Sequence, residues 1–313
     1  MINPSPIKEK PSSFAERVAN LNILHPKVQE IWSLLDSIRY HNSFQGGRNS
    51  PRHRFIIGLS GVGKTQMVKR YAEKNEGYTH IDEDGTERDI RPVLYVNLPD
   101  PFTIMELYQS VVHSLGAPQI PGRPSIGDVK RQAFTLLSEQ RVEMVIFDEM
   151  DYILSSRYVS NEEAMSAIKH ISNHGGVSVI CVGTSAIESL RKLDSQYFRR
   201  HPPTCLDRFK KCDEEFLQLL KSIEEQLMPP HELNLSDVSA VHSLAHILHR
   251  ASYGLVGYLT PILQEAFLLL GVFEPEFNEK TANLALESVL ERAYTNIIGE
   301  VAEEELDKMI LTE

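Results

Sequence analysis

Gly58-Leu59-Ser60-Gly61-Val62-Gly63-Lys64-Thr65 is the stretch that decides how this chain is read. It matches G-x-x-x-x-G-K-[ST] at every fixed position. Arg54-Phe55-Ile56-Ile57 precedes it, an apolar run short enough for a buried strand. Gln66-Met67-Val68-Lys69-Arg70-Tyr71-Ala72 follows as the opening of a helix. Strand, glycine-rich loop and helix in that order are the setting a phosphate loop requires. Glycines let the backbone curl so that its N–H groups face phosphate oxygens. The helix N-terminus adds partial positive charge at the same place. Lys64 then reaches the β- and γ-phosphates of ATP, and the Thr65 hydroxyl holds Mg²⁺. The candidate nucleotide-binding residues are Gly58, Ser60, Gly61, Val62, Gly63, Lys64, Thr65 and Gln66. A glycine-rich turn that binds nothing is the plainer alternative, and the match in full context speaks against it.

Downstream, Glu143-Met144-Val145-Ile146-Phe147-Asp148-Glu149 is an apolar run ending in two carboxylates. Such a run suits the centre of a parallel sheet, with its acids at the C-terminal edge where open α/β sheets bind ligands. Asp148 is the candidate Mg²⁺ ligand, in the manner of a Walker-B aspartate. Glu149 is the candidate group that orients or deprotonates the attacking water. Taken alone, a strand running into an acidic helix start would explain the pair. Downstream of a phosphate loop, with room for two strand–helix units between, the catalytic reading is preferred.

At 313 residues the chain has room for a large core and a second small domain. No apolar stretch approaches membrane-spanning length. Met1-Ile2-Asn3-Pro4-Ser5-Pro6-Ile7-Lys8 lacks the apolar centre of a signal peptide. The three cysteines, Cys181, Cys205 and Cys212, have no metal-binding spacing and suit a reducing cytoplasm. A cytoplasmic protein without membrane attachment is expected. Net charge is −11, but from residue 213 onward there are 19 acidic and only 5 basic residues. The acidity is thus confined to the last third, which leaves the preceding part free to carry a basic surface.

Four segments are expected: a flexible or loosely docked arm over 1–20, an α/β nucleotide-binding core over 21–213, a helical lid over 214–296 and an acidic tail over 297–313. A helix over 22–40 begins at His25-Pro26 and holds Trp32, the only tryptophan, as a core residue. Strands at 91–97, 143–148 and 176–184 alternate with helices at 103–115, 126–140 and 161–172. That alternation means a parallel sheet with helices on both faces. Residues 75–89 read as a hairpin or loop insertion. The lid helices are expected at 215–227, 237–252, 256–270 and 281–296, with Pro261 marking a first turn or a kink.

Phosphate loop, Asp148-Glu149 strand, a strand ending in Gly183-Thr184, the Arg208-Phe209 pair and a helical lid together resemble an AAA+ ATPase. The resemblance implies that Thr184, after its strand, senses the γ-phosphate; capping the turn that starts at Ala186 is an equally open role. It also implies an arginine supplied by a neighbouring subunit to stabilise charge in phosphoryl transfer. Arg208, in Cys205-Leu206-Asp207-Arg208-Phe209, is the candidate, with Arg199 and Arg200 as competitors. A solvated basic cluster is the alternative for all three. The lid segment Gly254-Leu255-Val256-Gly257-Tyr258-Leu259 carries no arginine where a second sensor would sit, so slow or partner-dependent hydrolysis is expected.

Within AAA+ the chain is most similar to the TniB/TnsC family of transposition regulators, including those of CRISPR-associated transposons. His25-Pro26, the phosphate loop, Leu115-Gly116-Ala117-Pro118, Phe147-Asp148-Glu149, Val182-Gly183-Thr184, Arg208-Phe209 and the lid helix at 254–263 carry that likeness. The resemblance implies a homo-oligomeric ring or filament on duplex DNA, linking a TniQ-type or CRISPR target selector to a transposase. On that reading Arg123, Lys130 and Arg131 meet DNA phosphates without regard to sequence. A solvated helix face is the alternative for these three, and a solubilising role is the alternative for the acidic tail. Two other functions compete. A helicase loader or replication initiator would share the ATP site but need a helicase-binding element. A STAND-type signalling ATPase would need a repeat array, and no internal repeat is visible.

Overall fold

In the computed structural model, which describes residues 13–45, 50–118, 120–240, 243–279 and 281–299, helices and strands alternate. Two helices come first, α1 (Phe14–Ala19) and α2 (Val28–Gln45), and β1 (Arg54–Ile57) leads through the phosphate loop into α3 (Lys64–Lys74). A hairpin of β2 (Tyr78–Ile81) and β3 (Glu87–Ile90) precedes β4 (Val93–Asn97), α4 (Ile104–Ser114) and α5 (Ile126–Glu139). Then come β5 (Met144–Asp148), α6 (Asp151–Ser155), α7 (Asn161–Gly175), β6 (Ser178–Gly183), α8 (Glu188–Arg191), α9 (Ser195–Arg200) and β7 (Pro203–Cys205). The helices α10 (Glu214–Leu227), α11 (Leu244–Ser252), α12 (Val256–Leu269) and α13 (Leu290–Ile298) follow.

Five strands form one sheet in the order β4-β5-β6-β1-β7, and every neighbouring pair is parallel. β5 and β6 are buried at every residue, as apolar strands at the centre of a doubly covered sheet must be. Side chains alternate between the faces. Phe55, Leu94, Val145, Phe147 and Val179 pack with Val111, Ala133 and Ile168 of α4, α5 and α7 in one core. Between α2 and α3, Trp32 is buried and its indole N–H donates to the Met67 carbonyl at 3.1 Å. The Tyr71 hydroxyl donates to Asp36 at 2.7 Å across the same pair.

From β1 the chain passes β6 and β5 to reach β4; from β6 it passes β1 to reach β7. The connections after β1 and β6 therefore leave in opposite directions, and right-handed crossovers put them on opposite faces. That opens a crevice at the C-terminal ends of these two strands.

The described residues divide into two compact units, 27–207 and 13–26 together with 208–299. In the second unit α1 and α10 to α13 close around their own core, which includes Phe14, Val18, Leu220, Leu248, Leu263 and Phe267. The flexible or loosely docked arm expected over 1–20 is corrected over 13–20. Ser13 accepts the Glu16 N–H and the Glu16 carboxylate accepts the Ser13 N–H, a complete capping box. Phe14 meets Phe267 edge-on at 5.4 Å. Residues 1–12 lie outside the described residues, as does the acidic tail from 300 onward.

Other boundaries also differ. The helix expected over 237–252 begins only at Leu244, and that expected over 281–296 is replaced by a short 3-10 turn at Leu286–Ser288 and then α13. Pro261 lies inside α12. Its missing N–H and ring are accommodated there while Thr260 donates its hydroxyl to the Val256 carbonyl at 3.2 Å.

Candidate nucleotide-binding site

The phosphate loop leaves β1 and closes with Gly63, which N-caps α3 at φ +96, a backbone region open to glycine at little cost. Gly63 has no side chain to cap this helix, and the first-turn N–H groups of Thr65 and Gln66 point out of its N-terminus. An anion satisfies such groups and the helix dipole together. The Lys64 ammonium, nearly buried, donates to the carbonyls of Gly58 at 2.7 Å and Leu59 at 2.9 Å. It is thereby held across the mouth of the loop that Ser60, Gly61 and Val62 form.

Asp148 ends β5 with its side chain almost fully buried. Its Oδ1 accepts the Glu149 N–H at 3.0 Å and its Oδ2 accepts the Tyr95 hydroxyl from β4 at 2.9 Å. Glu149 adopts a left-handed backbone, φ +57. Burial raises the proton affinity of its carboxyl most, and the charges of Asp148 and Asp151 add to the rise. Lys64 and Lys69 oppose that rise, so the phosphate-loop lysine acts electrostatically on Glu149. The donor set suits a hard cation: a threonine hydroxyl and a buried carboxylate, both oxygen.

Thr184 follows β6, the strand between β1 and β5. It N-caps the turn Ser185–Ile187, accepting the Ala186 N–H at 3.3 Å, so the capping role holds. Its own N–H donates to Asp151 Oδ2 at 2.9 Å, and its hydroxyl donates to Asp151 Oδ1.

The sequence reading singles out none of three participants, Asp151, Tyr95 and Lys69. Alternation along Tyr95-Val96-Asn97 was the available signal for Tyr95.

Arg208 belongs to the helical unit rather than the core. Its Nη1 donates to the Tyr253 carbonyl at 2.9 Å, the C-cap of α11. Phe209 beside it stacks on His25 at 4.5 Å and meets Phe216 at 5.4 Å. Arg199 is exposed in the last turn of α9, and the charge of Arg200 acts on His53 and His201. Arg123 is exposed in the loop before α5. Arg131 pairs with Asp128 at 3.2 Å on its own helix, and the Lys130 ammonium sits 5.1 Å over the Tyr108 ring.

Among the described residues no helix is long and apolar enough to cross a membrane, and no group of three or more metal-ligating side chains occurs.

Solved structures share this arrangement. ORC2 of Aeropyrum pernix, in ADPNP–ADP complexes, matches with TM-score 0.59 at 16% identity over 93% of this chain and 74% of that one. ORC1 of Aeropyrum pernix in complex with DNA matches with TM-score 0.59 at 13% identity over 91% and 71%. Cdc6p of Pyrobaculum aerophilum matches with TM-score 0.58 at 13% identity over 95% and 72%. At such identities the likeness is one of fold, that of the AAA+ class. Within that class, a model of the bacterial TniB protein matches residues 19–211, and the chain belongs to the TniB family. No curated protein sequence matches it.

Proposed function

We propose that this chain is an ATP-dependent regulator of DNA transposition that assembles on duplex target DNA and links a target selector to a transposase. Membership of the TniB family is the observation that carries the reading. The electrostatic reach of Lys64 to Glu149 supports a hydrolytic site.

In this reading Lys64 and the first-turn N–H groups of α3 bind the phosphates of ATP. Thr65 and Asp148 are the residues that would hold Mg²⁺, which when bound neutralises charge on the phosphate oxygens. Glu149 takes the proton of the attacking water. Thr184 serves the γ-phosphate end of the nucleotide. Arg208 completes the site of a neighbouring subunit, using guanidinium N–H groups other than those on the Tyr253 carbonyl. The finger of another subunit stabilises charge that develops only in the transition state, so turnover is slow until subunits assemble.

Negative-stain imaging with duplex DNA, with and without a slowly hydrolysed ATP analogue, tests this. Rings or filaments that need both DNA and nucleotide support the regulator. Monomers in every condition favour a helicase loader or replication initiator instead.

A further inference from the structure

We propose that Asp151 is a positioning residue for hydrolysis: it holds the Thr184 hydroxyl as a hydrogen-bond acceptor toward the site, so that Thr184 orients the attacking water rather than a phosphate oxygen. The inference rests on the hydrolytic reading of this site and refines the role of Thr184 within it.

Two donors on Thr184 meet one side chain. The Thr184 N–H reaches Asp151 Oδ2 at 2.9 Å, and the Thr184 hydroxyl proton goes to Asp151 Oδ1. A carboxylate has only acceptors and satisfies both, whereas an asparagine offers one acceptor and one donor. The fit is tight on the other side as well. A Cβ on Gly183 would lie 2.5 Å from Asp151 Oδ2 and 2.8 Å from Ile187 Cγ2, so the carboxylate occupies the space that a side chain would take. The backbone stitches the same segments together, with the Met150 N–H donating to the Val182 carbonyl at 3.0 Å. The tip of β6 and the turn after Glu149 are therefore tied together.

The consequence lies in the direction of one proton. A hydroxyl has a single proton and two lone pairs. The Thr184 proton is committed to Asp151, and one lone pair receives the Ala186 N–H at 3.3 Å. What Thr184 presents beyond these partners is a lone pair. Phosphate oxygens at neutral pH are themselves acceptors, so a lone pair does not bind them. Water is a donor, and a water held through one hydrogen has its oxygen oriented while Glu149 takes the other hydrogen. Asp151→Asn reverses the polarity: the amide donates to Thr184 Oγ1, and the hydroxyl proton turns outward.

The test measures ATP turnover and fluorescent ATP and ADP affinities of the full chain for Asp151→Asn, Thr184→Val, Thr184→Ser, the Asp151→Asn/Thr184→Val pair and Glu149→Gln. Asp151→Asn and Thr184→Val should each lower kcat by roughly 10–100-fold while both nucleotide affinities stay within about twofold. Thr184→Ser should restore turnover, and the double variant should be no slower than either single one. Weakening of ATP but not ADP by Thr184→Val would mean a phosphate contact and overturn the proposal. So would full turnover in Asp151→Asn, or loss of both nucleotides. Thr184→Val reads the same proposal where Asp151→Asn does not fold. Full turnover in Glu149→Gln would instead sink the hydrolytic reading itself.

Discussion

The Tyr95 hydroxyl donates to the buried Asp148 carboxylate at 2.9 Å, so the strand at the sheet edge fixes the orientation of the candidate metal ligand. Burial and the neighbouring carboxylate both raise the proton affinity of the phenol, which keeps Tyr95 a donor. The Lys69 ammonium lies 5.4 Å from the centre of the same ring. Tyr95→Phe removes the hydrogen bond and keeps the ring. Outer partners of metal ligands commonly change metal affinity by about 10–100-fold when removed. The Mg²⁺ concentration for half-maximal turnover should rise accordingly, with Mg²⁺-free nucleotide binding unchanged. An unaltered Mg²⁺ dependence would show that Asp148 is oriented without Tyr95.

Glu149 sets a second expectation. Its carboxyl is held above the ordinary value of 4.5, by burial first and then by Asp148 and Asp151. A general base must be deprotonated to act. Turnover should therefore fall on acidification through a midpoint above 4.5, and Lys69→Met should move that midpoint higher by removing a charge that opposes the rise. Initial rates across pH read this directly. A midpoint at or below 4.5 would mean that another group takes the proton. Glu149→Gln should retain ATP and accumulate nucleotide-bound oligomers.

Stability should depend on pH through a buried imidazole pair at the N-terminal ends of β1 and β7. His53 accepts the Val179 N–H at Nδ1 over 3.1 Å and stacks on His201 at 4.6 Å. Burial is the main cause that lowers His53 to about 3 and His201 to about 4, with the charge of Arg200 adding to both. Both folded values lie below the unfolded value of 6.5, so the unfolded chain takes up these protons first. The stability they contribute is complete above pH 6.5 and is lost as pH falls toward 4 and 3. The slope is about 1.4 kcal/mol per pH unit for each imidazole in that window. Urea midpoints at about pH 7.5 and about pH 5 should differ clearly, and His201→Phe should flatten the difference. Equal midpoints in the parent protein would contradict it.

The elements legible in the sequence are those whose local signal agrees with their burial. The phosphate loop, the runs at β1, β5 and β6 and the capped helices α4 and α5 announce themselves by pattern. β7 did not: Pro203–Cys205 is three residues long, starts with proline and has no apolar periodicity. It pairs with β1 because the sheet offers it an edge. Asp151 was illegible for a related reason, since its partner Thr184 is distant in sequence and adjacent only once β5 and β6 are both in place. α1 was legible and overlooked. Ser13-Phe14-Ala15-Glu16 spells a capping box.

That overlooked helix is testable. Phe14 is fully buried, edge-on to Phe267 at 5.4 Å and stacked with Phe277 at 6.2 Å. The Arg17 guanidinium donates to the Leu227 carbonyl at 2.7 Å, satisfying the end of α10. Phe14→Ala should destabilise the helical unit by about 3–5 kcal/mol, as large-to-small changes in aromatic cores do. Chemical denaturation followed by circular dichroism measures it. A loss below about 1 kcal/mol would return residues 13–20 to the status of an arm.

The three basic residues proposed to meet DNA should not contribute equally. Lys130 and Arg131 are consecutive on α5 and so point about 100° apart, which keeps them from tracking one phosphate strand together. Lys130 is engaged over the Tyr108 ring, and Arg131 must loosen its pairing with Asp128 to reach a phosphate. Arg123 lies exposed in the preceding loop. Arg123→Ala should therefore weaken DNA binding most, Arg131→Ala less and Lys130→Ala least. A phosphate contact releases counterions, so Arg123→Ala should lower the slope of log affinity against log salt by about one unit. The loss should be the same on unrelated duplexes, because phosphates carry no sequence. Fluorescence anisotropy at several salt concentrations on two duplexes decides the matter. A loss confined to one duplex would indicate base contacts, and unchanged binding in all three variants would put the DNA on another surface.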